Sequence, residues 1–146
     1  MFFEEFEVDK IIESRSRVVT GTDIDLFTAM TGAVNPLFLS DETAQKAGQP
    51  ARLTPGPLLF SFTIGLCYQA GVFDHVIAMA GVKEMRFMSP VHPGDIITAS
   101  ATPLEKRPSK KPDRGVVVLR HELKNQEGAV VLSADVTYLM GTRQAD

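Results

Sequence analysis

The stretch Gly56-Pro57-Leu58-Leu59-Phe60-Ser61-Phe62-Thr63-Ile64-Gly65-Leu66-Cys67-Tyr68-Gln69-Ala70-Gly71 decides the architecture. Pro57 suits the first helical position, where its missing N–H costs nothing, and a helix is expected from Pro57 to about Gly71. Leu58, Leu59, Phe60, Phe62, Ile64, Leu66, Cys67 and Tyr68 leave that helix no wide polar face. A helix that is apolar nearly all round belongs inside a protein or a membrane. The apolar run from Pro57 to Val72 is shorter than the ~20 residues of a membrane span, and Ser61, Thr63, Gly65 and Gln69 interrupt it. The expectation is a buried central helix around which the rest of the chain must wrap.

Working outward, the chain after this helix is rich in Val, Ile and Thr. Strands are expected at Val82 to Met88, Asp95 to Thr102, Gly115 to Lys124 and Ala129 to Met140. Asn125-Gln126-Glu127-Gly128 reads as a hairpin turn, and Glu105 to Arg114, with Pro108 and Pro112, as a loop. Before the helix, Arg15 to Thr20 reads as a short strand. Thr22 with Asp25 has the spacing of a capping box, and Ile24, Phe27 and Met30 recur at helical spacing. Gly32 can close that helix in the left-handed conformation. A second short helix is expected from Ser40, with Asp41 and Glu42 in its first turn and Gly48 beyond its end. Between them, Pro36 keeps Asn35 out of the helical region, so Ala33 to Leu39 reads as an ordered turn or extended segment. Gln49 to Pro55 reads as a loop. One buried helix, short helices before it and four or five antiparallel strands make an α+β layout, with a sheet wrapped round a helix.

Composition narrows the function. The chain has 146 residues, with Lys+Arg 15 against Asp+Glu 18, a formal net charge of −3. One domain spanning residues 1–146 fits that length. A mildly acidic chain is a poor match for nucleic acid, whose phosphates require a basic face. Cys67 is the only cysteine, which excludes an intrachain disulfide framework. Three histidines, His75, His92 and His121, without a His-x-x-x-His pair, give no zinc-hydrolase helix, and no metal site is expected. Met1-Phe2-Phe3-Glu4-Glu5-Phe6-Glu7 is acidic and lacks a basic segment leading into an apolar run. A soluble, cytoplasmic protein with no membrane partner is therefore expected.

Three segments carry a family resemblance. They are Asp23-Ile24-Asp25-Leu26-Phe27-Thr28-Ala29-Met30-Thr31-Gly32 followed by Asn35-Pro36-Leu37; the helix start Gly56-Pro57-Leu58-Leu59; and Arg86-Phe87-Met88-Ser89-Pro90-Val91-His92-Pro93-Gly94-Asp95 with Asn125 to Gly128 downstream. In this order and spacing the chain resembles the MaoC-like dehydratase family, whose members include (R)-specific enoyl-CoA hydratases. The resemblance implies a single hot-dog domain. Fold alone does not fix the reaction.

The family's catalytic pattern is Asp, any residue, Asn-Pro, any residue, His. Here the corresponding run is Ala33-Val34-Asn35-Pro36-Leu37-Phe38, so Ala33 stands at the Asp position and Phe38 at the His position. Pro55 stands where the family usually has a His before the central-helix Gly. In the resembling enzymes Asp and His activate a water and return a proton, and neither Ala nor Phe has a titratable group. The resemblance leaves the binding half. Gly56 N–H, at the start of the buried helix, would face a thioester carbonyl, as the free donors and positive dipole end there favour. Asn35 would orient the loop, and the Arg86 to Asp95 segment, with Arg86, Pro90 and Val91 as its binding residues, would line an acyl-CoA channel near a dimer seam. The ligand implied is a thioester of coenzyme A or of an acyl-carrier protein, with no other cofactor. Some family dehydratases are heteromers, so the implied partner is a second copy or a catalytically complete MaoC-like chain.

Each candidate also has a plain reading. Asn35 can form an Asx turn within its own loop. Gly56 can serve a positive φ or close packing. His92 reads as a surface histidine, His75 beside Asp74 as a solvent-facing pair, and His121 as a cross-strand partner. Lys106, Arg107, Lys110, Lys111 and Arg114 could meet phosphates or an acidic carrier, or form a solvated hairpin tip. Cys67 reads as inert core, and Met79, Met85 and Met88 as pocket floor or core filling.

Four functions follow. The first is a thioester-binding subunit without the hydratase pair. The second is a divergent hydro-lyase using Asp41, Asp74 or His75. The third is a thioesterase, disfavoured because Gly56 to Gly71 contains no carboxylate. The fourth is a ligand-free dimerisation module. Because one sheet round one helix leaves an open edge, at least a dimer is expected.

Overall fold

The computed structural model describes residues 1–143. A 3₁₀ turn at Phe3–Glu5 leads into β1 (Ile12–Val18), α1 (Gly21–Thr31), α2 (Pro36–Leu39), α3 (Asp41–Lys46), α4 (Gly56–Gln69), β2 (Val76–Phe87), β3 (Ile96–Pro108), β4 (Arg114–Lys124) and β5 (Val130–Gly141). The strands form one antiparallel sheet in the order β1-β3-β4-β5-β2. This is the α+β layout expected, with the sheet curved round α4.

Intrinsic propensity does not make α4. Two glycines, two Thr/Ile positions and two Phe each cost a fraction of a kcal/mol in a helix, up to about 1 for Gly. Burial of Leu58, Leu59, Phe62, Leu66 and Cys67 offsets this, at about 1.5–3 kcal/mol for a fully buried large apolar side chain. Their counterparts are the alternate inward residues of the sheet: Ile97, Ala99 and Ala101 on β3, Leu119 and Leu123 on β4, and Val136, Tyr138 and Met140 on β5, all in the core.

Several boundaries differ from expectation. The first cap is Thr20, not Thr22: Thr20 Oγ1 accepts from Asp23 N–H at 3.2 Å and Asp23 Oδ2 accepts from Thr20 N–H at 2.8 Å. Thr20 has the extended backbone a cap requires. Gly32 closes α1 at φ 72°, as expected. Pro36 opens a further short helix, α2, where only a turn was expected, because proline's fixed φ suits a first helical position. β3 runs on to Pro108, so Lys106 and Arg107 belong to a strand rather than to a loop tip. β2 begins at Val76, six residues early. It is an edge strand with nearly every residue exposed, so burial imposes no alternation on Val76 to Gly81.

α4 is not buried all round. Phe60 and Ile64 are half-buried and Tyr68 is exposed, beside Met79 of β2. The sheet covers one flank of α4, which packs against β1, β3 and β4. The other flank stays apolar and open, with Phe60, Ile64 and Tyr68 facing Met79 of β2. Among the described residues no helix is long and apolar enough to cross a membrane.

Candidate functional site

The start of α4 is built from a proline-rich turn. Pro55 and Pro57 have no N–H, so the first turn presents only Gly56 and Leu58 as free donors. The approach is laced down on both sides. Leu53 N–H donates to Leu37 O at 2.8 Å, and Thr54 N–H donates to Val91 O at 2.8 Å. Arg52 secures the α1–α3 cap: its guanidinium bonds Asp25 Oδ1 at 2.7 Å and its N–H bonds Asp41 Oδ1 at 2.9 Å. The Arg52 hydrogen bond holds the Asp25 carboxyl below the usual carboxylate range.

These contacts frame a cavity of about 340 Å³, lined by Phe38, Leu53, Thr54, Gly56, Leu59, Phe87, Met88, Ser89 and Pro90. It joins three segments distant in sequence: α2 with the cap, the start of α4, and the end of β2 with its following turn. None of the nine lining residues has a side chain that titrates in water near neutral pH. Gly56 lies against Phe87, whose ring would be 3.2 Å from a Cβ on that glycine. Its φ is not positive, so close packing, rather than backbone freedom, calls for glycine here.

The sequence-derived candidates divide. Phe38, Gly56 and Pro90 line the cavity. Pro55 is buried as the cap residue of α4, and Ala33 is exposed in the turn after α1. Asn35 forms the Asx turn: its Oδ1 accepts from Leu37 N–H at 2.9 Å and caps α2. Val91 is buried in the core and meets the site through its carbonyl. Arg86 is exposed and pairs with Glu84 at 3.2 Å in a neighbouring depression with Arg120, Glu122 and Asp135; it does not line the Gly56 cavity, although Met88 borders both.

Other candidates sit elsewhere. His92 is not a free surface residue: it is largely buried, with Nε2 3.0 Å from Gln49 Oε1 and its N–H donating to Asp95 Oδ2 at 2.8 Å. Asp74 and His75 follow the far end of α4. Gly56 is at the other end of this helix of 14 residues, which is about 21 Å long. His75 stacks on Phe2 with ring centroids 3.5 Å apart. Asp41 serves as an acceptor for Arg52. Lys106 Nζ donates to the carbonyls of Phe6 at 2.8 Å and Glu4 at 3.2 Å, and Arg114 pairs with Asp113 at 2.7 Å. That disperses much of the expected cation cluster. Met85 packs against the core, Met88 lines the cavity, and Met79 is exposed near Tyr68. Cys67 is buried, and desolvation raises its thiol to about 12, which keeps it protonated.

Sequence reading overlooked Arg52 and Thr54, and included Phe87 only as part of the Arg86 to Asp95 segment. Arg52 carried one legible signal, a cation in a loop opposite the acidic first turns of α1 and α3.

The geometry coincides with a family match. Residues 5–125 match the model of the MaoC like domain. The chain belongs to the MaoC-like family. A crystal structure described as a monoamine oxidase regulatory protein from Archaeoglobus superposes with a TM-score of 0.88 at 34% identity, covering 99% of this chain and 96% of that one. The mesaconyl-CoA hydratase of Cereibacter sphaeroides is 31% identical over 133 residues, 90% of this chain and 38% of that protein. A putative MaoC domain protein dehydratase from Chloroflexus aurantiacus superposes with a TM-score of 0.90 at 28% identity, covering 99% of this chain and 41% of that one. The chain spans well under half the length of the curated relatives it matches. As a MaoC-like domain it has the hot-dog fold, and hydratases and dehydratases are its relatives.

Proposed function

We propose that this chain is the thioester-binding member of a MaoC-like hydratase/dehydratase. It holds an acyl or enoyl thioester, with coenzyme A as carrier, and depends on a catalytically complete MaoC-like chain for hydration. The observation that carries this is the cavity at Gly56. It opens on the N-terminal end of α4, where free N–H donors and the helix dipole favour a carbonyl oxygen, yet no lining side chain can exchange a proton near neutral pH. Phe38 occupies the position where the family pattern has histidine. An apolar wall there holds an acyl chain and disfavours an ordered water. Coenzyme A is favoured because the matched relatives include a mesaconyl-CoA hydratase and a β-methylmalyl-CoA dehydratase. The ligand is then coenzyme A thioester itself, with no metal or further cofactor, and the protein works in the cytoplasm.

The partner lies along the open flank. The edge strand β2 has unpaired backbone groups, and Phe60, Ile64, Tyr68 and Met79 offer an apolar surface beside it. A second hot-dog unit, identical or catalytically complete, would extend the sheet there. The curated relatives are more than twice as long as the matched region, which leaves room for such a unit in one chain.

The test is calorimetric titration with coenzyme A, butyryl-CoA and crotonyl-CoA. Saturable binding of the acyl thioesters, tighter than that of free coenzyme A, is expected. Failure of every thioester to bind would favour a ligand-free dimerisation module.

A further inference from the structure

The described residues contain one buried side-chain polar atom with no hydrogen-bond partner, the hydroxyl of Thr54. Thr54 is 6% exposed and lines the cavity two residues before Gly56. The other buried threonines satisfy their hydroxyls: Thr28 Oγ1 donates to Asp25 O at 3.1 Å, and Thr63 Oγ1 donates to Leu59 O at 2.8 Å. A buried hydroxyl left without a partner destabilises the native state by the cost of its lost hydration, whereas valine has the same shape and no such penalty. Buried polar groups are nearly always satisfied, and the exceptions call for a physical reason.

The surroundings supply one. Thr54 N–H is already committed to Val91 O, which fixes the backbone from which the side chain projects. Prolines 55 and 57 strip the α4 terminus of two of its four free donors. A carbonyl oxygen has two lone pairs and is best held by two donors. Gly56 N–H can serve one; Leu58, the other free donor, does not line the cavity, and Thr54 and Ser89 are the two hydroxyls among the lining residues. Thr54 is the one buried beside the helix terminus and unpartnered.

We infer that the Thr54 hydroxyl is the second donor, beside Gly56 N–H, for the carbonyl oxygen of the bound thioester. This rests on the thioester reading of the cavity. A rotation about χ1 brings the hydroxyl onto the incoming oxygen, so the unmet hydrogen bond of the empty protein is met by its ligand. Thr54 thereby selects a thioester over a thioether of the same length.

The test uses the purified full chain and its Thr54→Val and Thr54→Ser variants, titrated with butyryl-CoA and with S-butyl-CoA, a thioether lacking the carbonyl. Thr54→Val should weaken butyryl-CoA binding roughly three- to tenfold, the net worth of one hydrogen bond, and leave S-butyl-CoA binding unchanged. The unliganded Thr54→Val protein should melt no lower than the parent, since it loses an unsatisfied hydroxyl. Thr54→Ser should retain the parent's preference for thioester. Equal binding of butyryl-CoA by parent and Thr54→Val would overturn the assignment while leaving the cavity a thioester site. Equal losses for both probes, or a lower melting temperature, would show a structural role instead. A parent protein that binds neither probe would remove the thioester reading itself, and this inference with it.

Discussion

Phe87 lies against Gly56: a Cβ on that glycine would stand 3.2 Å from the ring. The contact joins the end of β2 to the start of α4 and narrows the cavity they share. Gly56→Ala forces the ring to shift. Overpacking of this kind costs about 1–3 kcal/mol, against a gain of up to about 1 kcal/mol from alanine's helix propensity. The net loss should lower Tm by roughly 2–8 °C and weaken thioester binding. Adding Phe87→Leu should recover much of the Tm. Differential scanning calorimetry and titration of the three proteins check this.

His121 gives the fold a pH dependence. It is fully buried in the core, with Nε2 3.0 Å from Tyr138 Oη and Nδ1 3.6 Å from Cys67 Sγ. Desolvation lowers its pKa from 6.5 to about 4. The unfolded chain therefore binds a proton between those values that the native state does not. The stabilisation is complete above pH 6.5 and is lost as pH falls toward 4, amounting to on the order of 3 kcal/mol. Urea midpoints should drop across that interval, and His121→Leu should flatten this part of the profile. A midpoint that rises on acidification would contradict the assignment.

Asp74 and His75 should be dispensable for binding. They follow the opposite end of α4 from Gly56, and the His75 ring rests on Phe2. An Asp74→Asn, His75→Gln double variant should keep its crotonyl-CoA affinity to within about twofold, as surface substitutions do. Loss of binding would bring that end of the helix into the site.

The open flank should associate. Tyr68 and Met79 are about half exposed on an apolar surface beside the β2 edge. Light scattering should give the mass of at least two chains, and Met79→Lys should shift the protein toward a single chain. A single-chain mass for the parent at micromolar concentration would require a different partner on this face.

Much of the architecture was legible because local and global signals agree. Gly56-Pro57 and Gly71 bracket a helix whose apolar content requires burial, and Asn125 to Gly128 turns the chain between β4 and β5, with Gly128 at φ 77°. The errors fall where burial gives no pattern. β2 is exposed along nearly its whole length, so its first six residues carry no alternation. Thr20 and Thr22 are both plausible caps, and only the backbone conformation separates them. The site was half legible. Gly56, Phe38, Phe87 and Pro90 lie in motifs, whereas Thr54 and Arg52 matter because tertiary packing brings separate segments together. The unpartnered state of the Thr54 hydroxyl depends on every neighbour it does not touch.

The most direct test of the account is hydration of crotonyl-CoA by the purified chain alone, followed as loss of the enoyl absorbance, in a preparation rigorously freed of host hydratases. The account predicts binding of crotonyl-CoA with no turnover above the protein-free blank, and turnover once a catalytically complete MaoC-like chain is assembled with it. Robust turnover by the chain alone would contradict it.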